Sequence, residues 1–366
     1  MTDADFMRRA LELAEWGRGL TSPNPMVGAV VVREARIVGE GAHRRAGGPH
    51  AEVEALAAAG TAARGATLYC TLEPCDHHGR TPPCAPAIVA AGISRVVAAL
   101  PDPNPLARGG GDRLRAAGVS VELGLLAEAA ERQNRPWLTA IRERRPHVTL
   151  KAAATLDGKI ADVHGSSKWI TGEPARLRAH RLRAESDAIV VGLTTALRDD
   201  PALTVRLAEP WPREPYRVVL DSAARLPVDA RLIHAATPSR ALIAVSEQAP
   251  ADRVAALTRA GATVLPLPAP AGRLDPVALL ARLFELEVRA VLLEGGGETH
   301  AAFVEAGVVD RVALFVAPRL LGGRAAPGVL GGDGRELKDA LALGPLAVTP
   351  LGDDVLLEAD VLKAGR

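Results

Sequence analysis

Apolar residues recur at three- and four-residue spacing through Phe6, Ala10, Leu13 and Ala14, which predicts a helix over 3–18 closed by Gly17 and Gly19. The apolar runs 26–32 and 36–42, flanked by turn residues, predict paired strands after the rigid turn Ser22-Pro23-Asn24-Pro25. A helix over 50–59 stops at Gly60, a strand follows at 66–73, and a further helix opens just after Cys84 with Pro86 in its first turn. Residues 93–100 read as the next strand. Helices near 112–117 and over 125–143, with a strand at 119–123, complete an α/β/α arrangement. The charged run Arg142-Glu143-Arg144-Arg145 ends at Pro146, and the domain boundary is expected there, giving domains 1–145 and 146–366.

The second half begins with a strand at 147–156 and the turn dipeptide Asp157-Gly158. A helix over 173–185 leads to strands at 187–191, 216–220, 241–245, 263–266 and 289–293, which alternate with helical patterns and predict a second α/β domain. The last of these strands runs into Glu294-Gly295-Gly296-Gly297-Glu298-Thr299, with a helix continuing through Val304. Glycines between a strand end and a helix start let a phosphate approach backbone N–H groups at the positive end of the dipole. A tight turn without function accounts for the same glycines.

Composition narrows the class. The chain has 366 residues, 48% of them hydrophobic, and a net charge of +1. It holds no run approaching the roughly 20 apolar residues of a membrane span and no signal-peptide core, so a cytoplasmic protein is expected. Near-neutral charge argues against a nucleic-acid partner. Three cysteines, an odd number, argue against a disulfide framework.

The chemistry concentrates between His50-Ala51-Glu52, Pro74-Cys75 and Cys84. One imidazole and two thiolates hold zinc in three positions and leave a fourth open for water, whose pKa the metal lowers. Glu52, two residues from His50, does not share its helix face and is free to move protons, the role of the non-ligand glutamate in zinc deaminases. A structural zinc site would need a fourth protein ligand, for which Cys70, His77 and His78 are the nearby candidates; Cys70 is expected instead as a small apolar strand residue. Eight residues separate the two cysteines, and that loop presents Arg80 and Thr81 to an anionic group. Asp102 and Asn104 follow the C-terminal end of a strand, where open α/β sheets place ligands; Asn24 and His43 sit at the ends of the first apolar runs, where a structural turn role for Asn24 and either role for His43 fit the sequence.

Residues 21–28, the His50-Ala51-Glu52 element, Thr71-Leu72-Glu73-Pro74-Cys75 and Gly79-Arg80-Thr81-Pro82-Pro83-Cys84 together resemble the bifunctional deaminase/reductase family of riboflavin biosynthesis. Lys168-Trp169-Ile170-Thr171, residues 199–206 and Glu294-Gly295-Gly296 look like its reductase motifs, in the family's order. The resemblance implies a cytidine-deaminase-like α/β/α domain followed by a dihydrofolate-reductase-like α/β domain, with zinc in the first and NADPH in the second. The implied substrates are phosphorylated pyrimidines: deamination of 2,5-diamino-6-(5-phosphoribosylamino)pyrimidin-4(3H)-one, then reduction of the ribosyl unit of the product. It makes Asn24, His43, Arg80, Asp102 and Asn104 deaminase substrate contacts beside Glu52. It implies reductase substrate contacts from Ser167, Arg183, Leu203, Arg206 and Glu294. Cofactor contacts are implied for Ala154, Trp169, Thr195, Asp199, Ser222, Gly296, Gly297, Glu298, Thr299, His300, Ala301 and Ala302. Lys151 is a candidate acid. The chain departs from the family pattern at Asp76, around Arg108 and in Ala152-Ala153-Ala154-Thr155. The competing readings are a nucleoside or tRNA-base deaminase with an accessory domain and a binding protein with structural zinc. A homo-oligomer is compatible with the sequence, which does not set the oligomeric state.

Overall fold

The structure is a computed structural model that describes residues 1–79, 81–235 and 240–362. It divides into two compact units, Met1–Arg144 and Arg145–Arg366. No helix among the described residues is long and apolar enough to cross a membrane.

In the first unit, α1 (Asp3–Ala14) precedes β1 (Gly28–Arg33), β2 (Arg36–Ala42), α2 (Ala51–Ala59), β3 (Thr67–Cys70) and α3 (Cys84–Ala91). Then come β4 (Arg95–Ala98), α4 (Gly110–Ala116), β5 (Ser120–Leu123), α5 (Ala127–Gln133) and α6 (Arg135–Glu143). Thr2 caps α1 in a capping box with Asp5, and Phe6, Met7, Ala10, Leu13 and Ala14 are its buried face. The α-helix ends at Ala14 and continues only as a single 3-10 turn, Glu15–Gly17, short of the expected residue 18.

The five strands lie in the order β2-β1-β3-β4-β5. Their pairing is antiparallel from β2 to β3 and parallel from β3 to β5. Helices cover both faces, and the glycines say which goes where. A Cβ on Gly28 would sit 1.9 Å from the Ala10 carbonyl oxygen of α1, and one on Gly41 would sit 2.2 Å from the Ala51 oxygen of α2. Gly28 pairs with Ala42 and Ala29 with Gly41, so Gly28 and Gly41 look out of opposite faces and the two helices form opposite layers.

The helix expected over 125–143 is two. Pro136, near the start of α6, has no N–H to give to the preceding turn, and the chain breaks at Asn134. The break is used: the buried Asn134 side chain accepts from Met26 N–H at 2.8 Å and donates to Met26 O at 2.9 Å, tying the chain ahead of β1 to α6.

The second unit runs through β6 (His147–Thr155), α7 (Glu173–Ala184), β7 (Ala188–Gly192), α8 (Leu193–Asp199), β8 (Tyr216–Leu220), β9 (Ala241–Ser246) and α9 (Ala251–Arg259). It continues with β10 (Thr263–Leu267), α10 (Pro276–Glu285), β11 (Ala290–Leu293), α11 (Gly297–Glu305), β12 (Arg311–Ala317), β13 (Ala347–Leu351) and β14 (Asp354–Asp360). The sheet order is β10-β9-β8-β7-β11-β6-β12-β14-β13, parallel as far as β12 and antiparallel beyond it. A parallel sheet covered on both faces has apolar residues at successive positions. Val190, Val218, Leu242 and Ala244 accordingly meet α10 and α11, whereas Ile189, Val191, Val219 and Ile243 meet the α8 and α9 side. Strands β12 to β14 lie beyond the last element expected from the sequence. The apolar run of β12 was a readable signal; β13 is an exposed edge interrupted by Pro350 and carries none.

Candidate active sites

In the first unit three ligand atoms converge. The donor atoms of His50, Cys75 and Cys84 all lie within 4.8 Å of one another. His50 is the residue before α2, in extended conformation at φ −73° and ψ 154°, so the helix starts one residue later than expected and His50 stands outside it. Its Nδ1 faces both sulfurs, 3.2 Å from Cys84 Sγ and 3.5 Å from Cys75 Sγ. Cys84 opens α3, where the helix N-terminus favours a thiolate. A hydrogen bond from the Cys84 thiol, opposed by burial and aided by His50, pushes Cys75 down to about 4. Cys84 goes the other way, because it donates its proton to Cys75 and is itself buried. A nitrogen and two sulfurs at this spacing fit zinc. Cys70 is buried inside β3, with burial pushing its thiol up, and is no part of the cluster.

Glu52 sits in the first turn of α2, 4% exposed, and hydrogen-bonds Cys84. Burial pushes its carboxyl up, against the pull of the His50 charge. A proton on this group is therefore held more readily than on a solvated glutamate.

Three further groups fix the ligand loop. The Glu73 carboxylate accepts from Asp102 N–H at 3.0 Å and from Gly111 N–H at 2.9 Å, bracketing the ends of β3 and β4 to the start of α4. Asp76 pairs with Arg113 of α4 at 3.1 Å, which accounts for an acid at this departure from the family pattern. Thr81 Oγ1 lies 2.9 Å from His50 Nε2. Because Nδ1 faces the sulfurs, Nε2 carries the hydrogen and donates it to Thr81, so the hydroxyl expected at an anion holds the metal-binding imidazole instead. Thr81→Val is expected to weaken zinc binding about 10- to 100-fold, the usual cost of losing such a support, while Thr81→Ser retains it. Competition with a chromogenic chelator reads the difference, and equal affinity in Thr81→Val would refute the role.

His43 donates from Nδ1 to Pro49 O at 2.9 Å, which leaves Nε2 to accept from Asn24 Nδ2 at 3.3 Å. Burial lowers its pKa and keeps the ring neutral, 5.6 Å from the His50 ring in an edge-on arrangement. Asp102, raised to about 6 chiefly by burial, accepts from Asn104 N–H at 2.8 Å, and Asn104 Oδ1 accepts from Leu106 N–H at 3.1 Å. Both side chains shape the loop after β4, and Asp102 also lies within electrostatic reach of Cys75. Arg80 lies outside the described residues.

The second unit has a cleft of about 680 Å³ at the C-terminal ends of its parallel strands. At its floor Glu294 takes a bidentate pair from Arg183, Nε at 2.7 Å and Nη2 at 2.9 Å, with Lys151 Nζ 3.6 Å away. Burial pushes the Glu294 carboxyl up, but Arg183 and Lys151 outweigh it and hold it down at about 2. Arg183 also donates to Thr204 O at 3.2 Å, so its guanidinium is already engaged. Arg206 Nε lies 3.3 Å from His180 Nε2, and burial with the charges of Arg183 and Arg206 keeps that imidazole down at about 4.

Comparison with known proteins decides the family. Residues 1–100 match the cytidine and deoxycytidylate deaminase zinc-binding region, and residues 146–357 match the RibD C-terminal domain. The riboflavin biosynthesis protein RibD of Aquifex aeolicus is 44% identical over 97% of both chains, and that of Bacillus amyloliquefaciens is 44% identical over 99% of this chain and 96% of its own. The solved RibD structure from Acinetobacter baumannii superposes with a TM-score of 0.89 at 38% identity, covering 99% of each chain. The chain belongs to the RibD family. A further solved structure, described as a diaminohydroxyphosphoribosylaminopyrimidine deaminase/5-amino-6-(5-phosphoribosylamino)uracil reductase from Thermotoga maritima, gives a TM-score of 0.87 at 36% identity over 98% of both chains. RibD membership makes the protein a bifunctional enzyme of riboflavin biosynthesis, a zinc-binding deaminase region followed by a reductase domain.

Against that background the residues expected in the RibD reductase half sort themselves by position. Ser167, Arg183, Leu203, Glu294, Thr195, Asp199, Gly296, Gly297, Glu298, Thr299 and His300 line the cleft. Ala154, Trp169, Arg206, Ser222, Ala301 and Ala302 do not. Ala154 is fully buried in β6, and Ala152 and Ala153 line the cleft in its place. Trp169 is 61% exposed, with the Arg176 guanidinium 4.8 Å above its ring. Glu73 and Arg198 lie outside the expected set; Glu73 sits in Thr71-Leu72-Glu73-Pro74-Cys75, and Arg198, which lines the cleft, immediately precedes Asp199.

Proposed function

We propose that the first unit removes the exocyclic amine of 2,5-diamino-6-(5-phosphoribosylamino)pyrimidin-4(3H)-one and that the second reduces the ribosyl unit of 5-amino-6-(5-phosphoribosylamino)uracil with NADPH. The observation that carries the first half is the convergence of His50, Cys75 and Cys84 with the buried Glu52 carboxyl on Cys84. Zinc bound there would act as a Lewis acid that makes water nucleophilic at neutral pH. Glu52 takes a proton from the attacking water and returns it to the departing amine, which leaves as ammonia while the water oxygen stays on the ring carbon. The Asn24 carboxamide, oriented by the neutral His43 ring, offers its remaining hydrogen bonds to the substrate ring, and Arg80 meets the phosphate.

For the second half, the Lys151–Glu294–Arg183 cluster supports the reading. NADPH supplies hydride when bound. The chain holds the opened ribosyl unit so that its C1′ faces the donor, Arg206 meets the phosphate, and Lys151 gives the proton that completes reduction at the adjacent nitrogen. The start of α11, with Gly296 and Gly297, receives the pyrophosphate. Small phosphorylated pyrimidines, not nucleic acid, are the partners, and the reducing cytoplasm keeps both ligand thiols free.

The test is a paired assay on the diaminopyrimidine phosphate, following ammonia first without cofactor and then NADPH oxidation after its addition. Ammonia release followed by NADPH oxidation is expected. Ammonia without oxidation would overturn the reductase half, and no ammonia from zinc-loaded protein would overturn the deaminase half.

A further inference from the structure

The segments that leave the C-terminal ends of β6 and β12 are zipped together. Leu156 N–H donates to Arg319 O at 2.8 Å, Ile160 N–H to Pro327 O at 2.9 Å, and Lys159 Nζ to Ala326 O at 3.0 Å. Past that seam the chain lies against the start of α11, where Gly331 N–H donates to Gly297 O at 2.9 Å and His300 Nδ1 to Val329 O at 2.8 Å. Strands β11, β6 and β12 are neighbours and α11 follows β11, so residues 319–332 run as a strap across the ends of the strands that deliver Lys151 and Glu294. Pro327, Gly328 and Gly331 of the strap line the same cleft as Lys151 and Glu294, and so do Ile160 and Ser167 of the segment zipped to it.

One carboxylate holds the middle of the strap. Asp157 Oδ1 accepts from Thr155 Oγ1 at 2.6 Å and from Leu321 N–H at 3.1 Å, and Oδ2 accepts from Gly322 N–H at 2.6 Å. Among the described residues, these are the hydrogen bonds that reach residues 320–325. Gly322 and Gly323 have φ of +65° and +78°, the left-handed region, so the strap turns at the carboxylate. Thr155 is buried and its Oγ1 accepts from Lys159 N–H at 3.0 Å, which fixes the carboxylate to the β6 side. An aspartate that only forms a turn bonds backbone two residues on. Asp157 reaches backbone 164 and 165 residues away instead. The Thr155 hydroxyl and the Gly322 N–H hold its carboxyl down at about 2, so it stays a full acceptor through the neutral range.

We propose that the 319–332 strap shapes the reductase cleft over the reacting ends of cofactor and substrate, and that Asp157 is the positioning residue that sets it. The proposal rests on the NADPH reading above. Asp157 does not itself line the cleft, so it acts through the strap. Hydride transfer tolerates little misplacement, and a shift of about 1 Å far from the chemistry can cost about 10²-fold in rate.

The experiment measures NADPH oxidation with 5-amino-6-(5-phosphoribosylamino)uracil by wild type, Asp157→Ala and Asp157→Asn. Beside it, mass spectrometry follows tryptic cleavage between the exposed Arg324 and Ala325 of the strap. In Asp157→Ala kcat is expected to fall about 10- to 100-fold, and cleavage at Arg324 to run at least about tenfold faster as the charge-assisted bonds are lost. Asp157→Asn should fall less, because its amide oxygen still accepts from Thr155 and Leu321. Ammonia release should be unchanged in both variants. Wild-type kcat in Asp157→Ala, or a lower kcat with cleavage at Arg324 no faster than in wild type, overturns the proposal. If Asp157→Ala does not fold, the same two readings on Asp157→Asn decide. Wild type that oxidises no NADPH would overturn the underlying reading instead, and the cleavage rates would still show whether Asp157 latches the strap.

Discussion

Glu52→Gln is expected to lower deaminase kcat by about 10³-fold, within the 10²–10⁴ range of general acid–base catalysis, and to leave zinc content and reductase activity unchanged. The substitution is nearly isosteric, so the buried position in the first turn of α2 stays filled, and the amide still hydrogen-bonds Cys84. What disappears is a group that takes a proton and gives it back. Burial is the reason the effect should be large: it raises the Glu52 carboxyl above its ordinary range, so the group holds a transferred proton more readily than a solvated glutamate, and the water excluded from its surroundings cannot substitute for it. Ammonia release by Glu52→Gln at the wild-type rate, with zinc bound, would remove Glu52 from the mechanism.

The second large effect is expected at a residue that touches no ligand. A Cβ on Gly110 would lie 1.7 Å from the Pro74 carbonyl oxygen, 2.8 Å from its carbon and 3.3 Å from the Cys75 carbonyl carbon. All three are backbone, so relief requires displacing either the start of α4 or the loop that carries Cys75. Gly110→Ala should therefore destabilise the first unit by about 3 kcal/mol or more. Zinc stoichiometry and deaminase activity should fall with it, while the reductase unit keeps its activity. Gly111→Ala is the milder comparison, since a Cβ there meets first the Glu73 side-chain oxygen, at 2.7 Å, and relief costs the Glu73 bonds to Asp102 and Gly111 N–H but moves no backbone. Thermal unfolding and zinc release monitored on Gly110→Ala and Gly111→Ala separate the two, and a Gly110→Ala protein with wild-type zinc content would show that the Cys75 loop is not held by this contact.

These two residues also mark what was legible in the sequence. His50, Glu52, Cys75 and Cys84 could be read because ligand type, spacing and a spare carboxylate are chemical facts that survive without coordinates. Gly110 could not: only the packed structure shows that the space for its missing side chain is occupied by Pro74. Thr81 falls between, visible as a hydroxyl in the inter-cysteine loop but assignable to His50 Nε2 only once His50 is seen outside the helix with Nδ1 turned to the sulfurs. In the reductase half the strand succession through β11 follows from uninterrupted apolar runs, which parallel strands require. The cleft depends on long-range pairing, such as Arg183 with Glu294, that no local pattern encodes. Propensity likewise supports one helix over 125–143 until Pro136 and the Asn134–Met26 bonds divide it.

The loop between the cysteines is pinned at defined points, by Ala85 N–H on Cys75 O at 3.1 Å and by Thr81 on His50. Between those points residues 77–79 can be varied to court other phosphorylated heterocycles, provided that every library member keeps Asp76 opposite Arg113 and Thr81 or Ser at its anchor. Deleting the whole loop to shorten the protein would take Thr81 with it and leave the His50 imidazole without its support.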